Sequence, residues 1–323
     1  MSRQVEMISL EELVPADHPY RYFKQILSPL FIERCLSGIS SDLGRDGYGI
    51  MRLFYGLLLQ FMEDLSDRDC ERFLKENLSG KWLCGFGLGE ITPDHNAFYR
   101  TRKRIGTKKL SQLFAQMREE LARHGLVSEV FTFVDATHLI AKANLWKERD
   151  RAIKAKLDKL NNEVLPRLAC DKQAKIGCKG KNKYWYGYKQ HSAVDMQSGL
   201  INKVAVTPAN VTDAKGLKHV CPDSGAVYTD KGYCTKPARH AAAKRGVHLA
   251  AIMMNHMLAK NHDKDRWLSH LRMPYERVFS KRNQRVRYRG IAKNQFAAFM
   301  SAISFNLKRI FRTPDLMLQN KTD

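Results

Sequence analysis

Two periodicities divide the chain near residue 125. Before it, apolar residues recur at spacings of three and four, the mark of helices with one buried face. The clearest stretch is Ile50 to Asp64, where Leu53, Phe54, Leu57, Leu58 and Phe61 fall on one side and Leu65 continues the row. Ser66 followed by Asp69 has the form of a capping box and opens a helix over Asp67 to Asn77. Thr92 before Pro93 is a second start signal, a cap followed by a first-turn proline. A last helix is expected from Lys108 to His124, with Leu110, Leu113, Phe114, Met117 and Leu121 on one face and Gly125 closing it.

After Gly125 the pattern becomes that of strands. Val130 to Val134 is a short apolar run that ends at Asp135. Tyr184 to Met196 and Leu200 to Thr207 are two strands joined through Gln197, Ser198 and Gly199, so a hairpin is expected. Ala226 to Thr229 is a further strand, ending at Asp230. A helix over Lys236 to Lys244, a strand from Val247 to Ile252 and a helical region from Pro274 to Leu307 complete the series. A hairpin beside strand–helix–strand units indicates an α/β fold with one mixed sheet and flanking helices. The division expected is a helical domain over 1–125 and a sheet domain over 126–323. Residues 147–183 hold 12 basic and 5 acidic residues and read as a surface insertion outside the sheet.

Composition narrows the class of partner. The 323 residues carry 55 Lys and Arg against 33 Asp and Glu, a formal charge of +22. That surplus favours a polyanion through long-range attraction and counterion release, without separating DNA from RNA or catalysis from binding. The longest apolar stretch is too short and interrupted to cross a bilayer, and Glu6, Glu11 and Glu12 break any signal-peptide pattern, so a cytoplasmic location is expected. The seven scattered cysteines form no Cys-x-x-Cys pair, which fits a reducing compartment and argues against zinc. Arg100, Arg102, Lys103, Arg104, Lys108 and Lys109 share a window with no acidic residue. On helices they suit a DNA-reading unit of helix-turn-helix type, or simply a solvated basic face.

Asp135 and Asp230 stand in like contexts, each after a short β-rich run and at the start of a polar stretch. Carboxylates at strand ends sit where α/β folds commonly hold their sites, and on neighbouring strands two of them can share one hard divalent cation such as Mg²⁺. Taken singly, each also suits a turn or a helix cap. Glu276 lies among eight basic residues between positions 272 and 293, including Arg272, Lys281, Arg282 and Arg285. It is either an ion-paired surface residue or a third ligand, as a two-metal phosphodiester site needs. Arg272, one helical turn earlier, is placed to reach a phosphate or orient the Glu. His138 is a candidate supporting group for Asp135. His191 and the run Tyr184, Trp185, Tyr186 and Tyr188 are read as strand packing, with base stacking as the alternative for the aromatics. Asn210 and Asp213 after Pro208 read as a turn and a helix cap.

At these residues the sequence resembles bacterial insertion-sequence transposases of the DDE class, in the group named after insertion sequence five. The blocks are Leu57 to Asp69 and Thr92 to Arg100 in the helical part, then Val-Asp-Ala-Thr (134–137), Val-Thr-Pro-Ala-Asn-Val-Thr-Asp (206–213), Tyr-Thr-Asp-Lys-Gly-Tyr (228–233) and Glu-Arg-Val-Phe-Ser-Lys-Arg (276–282). Their order and joint presence make the likeness specific. The resemblance implies a ribonuclease-H-like sheet and a triad of Asp135, Asp230 and Glu276. It also implies divalent metal (Mg²⁺ or Mn²⁺, two ions), cleavage at terminal inverted repeats, and 3′-hydroxyl transfer into target DNA by a homodimer. In the related insertion-sequence-four group the Glu has Tyr, Arg and Lys companions. Arg272 matches the Arg, while Ser269 and Asn283 stand at the other two positions, with Arg282 and Arg285 close by.

Overall fold

A computed structural model describes residues 8–39, 47–141, 169–179, 183–258, 260–280 and 285–313, with Lys183 and 276–280 described by backbone alone. The chain forms two compact units, Met1–Glu119 with Met300–Asp323, and Glu120–Phe299.

The first unit is helical: α1 (Leu10–Leu13), α2 (Pro19–Ile26), α3 (Pro29–Leu36), α4 (Ile50–Met62), α5 (Asp67–Glu76), α6 (Leu78–Cys84) and the greater part of α7 (His95–Arg123). α4 supplies its centre, with Phe54, Leu57, Leu58 and Leu59 fully buried. At about 1.5–3 kcal/mol per buried side chain, this one helix anchors the unit. Ser66 and Asp69 form the capping box expected of α5. α7 starts later than Thr92 and Pro93 suggest, because Asp94 is the residue whose carboxylate accepts the Ala97 N–H at 2.8 Å. It breaks at Gly106, whose φ of +63° is left-handed and interrupts the helix just before the basic pair Lys108–Lys109.

Among the described residues the second unit is built on a six-stranded mixed sheet. Its strands are β1 (Phe131–Ile140), β2 (Lys175–Lys179), β3 (Lys183–Asp195), β4 (Ile201–Pro208), β5 (Ala226–Thr229) and β6 (His248–Ala251). β4, β3 and β1 pair antiparallel in that order, and β5 and β6 follow β1 in parallel. The β3–β4 turn is held by Asp195, whose carboxylate accepts both the backbone N–H (2.9 Å) and hydroxyl (2.6 Å) of Ser198. One face of the sheet, bearing Val134, Ala193 and Val227, is buried with α8 (Asp213–Gly216), the 3₁₀ turn Leu217–His219 and α9 (Lys236–Ala243). The other face meets α10 (His262–Ser280): Tyr275 packs on Phe133 at 5.9 Å and the Arg272 guanidinium lies 5.4 Å from the same ring.

Three expectations change. The helix carrying Glu276 begins at His262 and runs through Pro274 as an interior residue, where the ring removes one helical hydrogen bond. Part of the stretch read as an insertion belongs to the sheet, since Lys175–Lys179 pairs with Lys183–Gly187. Just before it, Asp171 is 4% exposed and accepts from the Tyr188 hydroxyl (2.8 Å) and the Gly290 N–H (3.1 Å). A buried, fully bonded carboxylate fixes the segment that its many lysines made look loose. Residues 142–168 and 180–182 lie outside the described residues. The last helix, α11 (Ile291–Arg312), also departs from the division at 126–323. Its end belongs to the helical unit, where Phe311 packs on Tyr22 and Phe23 at 5.6 and 6.0 Å.

Candidate active site

Asp135 lies within its strand rather than at the strand's end. β1 continues to Ile140 along β3, and Asp135 stands opposite Ser192. What stops near Asp135 is pairing on the other edge: β1 and β5 are in parallel register only to Phe133↔Tyr228. The same register carried two residues further brings Asp135 level with Asp230. β5 has by then ended, and Asp230 caps the 3₁₀ turn Lys231–Tyr233 with its carboxylate on the Gly232 N–H at 2.8 Å. The two acids therefore stand side by side where neighbouring strands part, at the strand spacing of about 5 Å. This is where parallel sheets open a crevice.

Each carboxylate is steered by one backbone donor, Ala136 N–H to Asp135 at 2.8 Å and Gly232 N–H to Asp230. Among the described residues no hydrogen bond reaches their second oxygens. Burial pushes the Asp135 carboxyl up to about 6, and the charge of Asp230 adds to the rise. The Ala136 N–H and the charges of Arg272 and Lys179 hold it back. Two neighbouring carboxylates, with Asp135 reluctant to ionise in its buried place, fit a hard divalent cation, whose charge would offset that cost. Among the described residues no group of three or more His, Cys, Asp and Glu gathers as a metal site, so the described part supplies a pair.

α10 brings the cationic half. Arg272 and Asp230 line one open cleft of about 400 Å³, with Lys231, Lys260, His262 and Arg266 around it. Lys260, just before this helix, is committed to Asp265 at 3.2 Å, and Arg266 and Arg272 are the helix's own arginines at the cleft. Asp265, Ser269, Arg272 and Glu276 follow one another at spacings of four, three and four, a single helical row. Glu276 thus has its backbone place in the row that passes the cleft, and its side chain lies outside the described residues. Lys281 and Arg282 lie wholly outside them, and Arg285 is exposed, bridged by its backbone to Ile140.

Some of the remaining candidates keep their expected roles and others lose them. His138 falls on the sheet face opposite Asp135 by strand alternation, against Trp185 at 5.4 Å, and so does not support the acid. His191 is fully buried on that same face, its ring 2.9 Å from the Thr207 hydroxyl, and burial pushes it down to about 4. Trp185, Tyr186 and Tyr188 are buried packing residues, while Tyr184 is exposed. Arg102 turns inward, donating to Asp67 at 2.7 and 2.5 Å. Arg104 donates to the Ile39 carbonyl at 2.7 Å. Arg100 and Lys103 are exposed. Sequence reasoning missed Tyr275, Lys179 and Arg266. The first is an ordinary aromatic in a helix, and the other two are single cations among 55.

Residues 128–307 match the family model described as Transposase DDE domain, and residues 8–104 match the one described as Transposase domain (DUF772). No solved structure matches the chain.

Proposed function

Because the chain belongs to the DDE transposase family, and so catalyses transposition by metal-dependent DNA cleavage and strand transfer, we propose that Asp135, Asp230 and Glu276 are the acids that hold its metal. The observation that carries this reading is the meeting of Asp135 and Asp230 at the parting of β1 and β5, beneath the helix that carries Arg272 and Glu276. Mg²⁺ or Mn²⁺, as two ions, is the cofactor we assign, since carboxylate oxygens suit hard cations. Bound there, such ions would activate a water or 3′-hydroxyl and stabilise the leaving oxygen of a phosphodiester.

The chain's own residues set the conditions for that chemistry. Asp135 must shed its proton to serve as a ligand, and the backbone N–H groups of Ala136 and Gly232 hold the two carboxylates in place. Arg272, fixed over Phe133, presents its charge to a phosphate in the cleft, where charge grows as the bond breaks. Arg266 extends this positive wall, and Lys281, Arg282 and Arg285 are proposed to follow the DNA backbone beyond it. The strand order β4-β3-β1-β5-β6, antiparallel then parallel, supports a ribonuclease-H-like sheet.

The substrate is double-stranded DNA, which we take to be the terminal inverted repeats of an insertion sequence of the group named after insertion sequence five, and its target. The helical unit is proposed to bind the ends through the basic window that holds Arg100, Lys103 and Arg104, with Arg102 as its internal brace. We propose that the protein acts as a homodimer in the bacterial cytoplasm. Among the described residues no helix is long and apolar enough to cross a membrane. The test is cleavage and joining of labelled element-end DNA with Mg²⁺ or Mn²⁺ by wild type and by Asp135→Asn, Asp230→Asn and Glu276→Gln. Each substitution is expected to abolish both steps and leave end binding intact. Wild-type cleavage by any of the three would remove that residue from the site.

A further inference from the structure

Helix α7 between His95 and Ile105 has two unlike sides. Ala97, Phe98, Thr101 and Ile105 are 6%, 0%, 1% and 3% exposed and form the inner row. Phe98 lies so close to α4 that a Cβ at Gly56 would stand 2.6 Å from its ring. Glu71 of α5 accepts from the His95 backbone N–H at 3.0 Å and lies 2.8 Å from its ring nitrogen, while Arg102 clasps Asp67 at the start of α5. The segment is therefore fixed at both ends on α4 and α5, with little freedom to shift. Asn96, Tyr99, Arg100 and Lys103 occupy the outer row, all exposed. No Asp or Glu occurs between Asp94 and Glu119, a stretch holding seven Lys and Arg.

We infer that this outer row reads base edges in the major groove of double-stranded DNA, a step that rests on the proposed binding of element ends by the helical unit. The dimensions fit. Eleven residues up to the break at Gly106 span about 16 Å, enough to cross a groove about 12 Å wide. The chemistry is that of base reading and not only of charge. Arg100 and Lys103 can donate to guanine O6 and N7, the Asn96 amide can pair with adenine N6 and N7, and the Tyr99 ring offers an apolar face to a thymine methyl. A rigid mount is what sequence reading needs, because a wrong base is rejected only if the donor cannot follow it. Arg102 and Arg104 are excluded from the row by their bonds to Asp67 and the Ile39 carbonyl, whereas Asn96 and Arg100 meet only the exposed Asp94, at 3.5 and 3.8 Å, contacts long enough to be exchanged for DNA. A second copy of this chain is disfavoured as occupant, since seven cations without an acid on the stretch repel their like.

The experiment is selection from a randomised duplex library by full-length Asp135→Asn protein, followed by affinity for the selected duplex and a scrambled one at matched salt. The wild-type helix should enrich a motif. Asn96→Ala, Arg100→Ala and Lys103→Ala should each lose preference at one or two adjacent base pairs by about tenfold or more, with scrambled-duplex affinity falling less than about threefold. All three sites are exposed, and an unchanged urea midpoint verifies folding. The same motif enriched equally by the triple variant would overturn the inference. So would an equal loss on both duplexes, which would mark phosphate contact alone, or an effect confined to self-association. Failure of the Asp135→Asn protein with an unaltered helix to enrich any motif would also overturn it. Metal-dependent nicking of plasmid by active protein would still stand as separate support for the catalytic reading.

Discussion

Replacing Asp135 by Asn should make the metal-free protein more stable at neutral pH while destroying its activity. The carboxyl is carried from 3.8 to about 6 by burial first and then by the charge of Asp230. A rise of that size disfavours the ionised form by about 3 kcal/mol, and partial solvent access at the half-buried site reduces this to roughly 1–2 kcal/mol. The sign follows from linkage. Below 3.8 the group is protonated in both folded and unfolded chains, so the charge costs nothing. As pH rises through the window from 3.8 to about 6 the folded chain holds the proton longer, and stability falls until both forms are ionised. Asn keeps the oxygen that accepts the Ala136 N–H and carries no charge, so it escapes that loss. Urea midpoints in chelator should coincide for the two proteins near pH 4 and separate in favour of Asp135→Asn by pH 7.5. Added Mn²⁺ should narrow the gap, because binding stabilises only the chain that holds the ion. A variant less stable than wild type at pH 7.5, or a difference that ignores pH, would mean that the Asp135 charge does not cost the fold stability.

Two further outcomes concern the helical unit. Arg102→Ala leaves Asp67 half-buried without its guanidinium and is expected to cost about 2 kcal/mol, with the surviving folded protein keeping its affinity for scrambled duplex while its preference for the selected motif weakens. Urea denaturation and gel shift check it, and a loss of affinity for scrambled duplex would return Arg102 to the DNA-contacting set. Gly56→Val drives a side chain into Phe98 and should cost about 1–3 kcal/mol, with much of it recovered when Phe98→Leu is added. Additive costs in that double-mutant cycle would mean the two residues do not touch.

Legibility in the sequence followed the range of the interactions. The α4 stripe, the Ser66–Asp69 cap and the β3–β4 hairpin are local patterns, and the chain alone displays them. Asp135 looked like a strand end because residues 135–140 are more polar than the run before them. Yet β1 continues, since β3 pairs with it along that whole length. The parallel meeting of β1 with β5 joins residues 95 apart in the chain, and no nearby residue signals it. Asp171 and Arg102 show a second limit. A charged side chain reads as surface in a sequence, and only its distant partners, Tyr188 and Gly290 for one and Asp67 for the other, turn it inward. That Arg272 stands one helical turn before Glu276 is legible in the sequence, while the start of their helix at His262, with Pro274 absorbed into α10, is not.

Iron-mediated self-cleavage decides whether Asp135, Asp230 and Glu276, far apart in sequence, hold one metal centre. Fe²⁺ bound in place of Mg²⁺, with ascorbate and peroxide, cuts the backbone within a few ångströms of the ion. Cuts are expected near residues 135, 230 and 276 in the same preparation, all suppressed by Mg²⁺ and all lost in Asp135→Asn. Cuts at only one of the three positions, or a pattern that persists in Asp135→Asn, would contradict it.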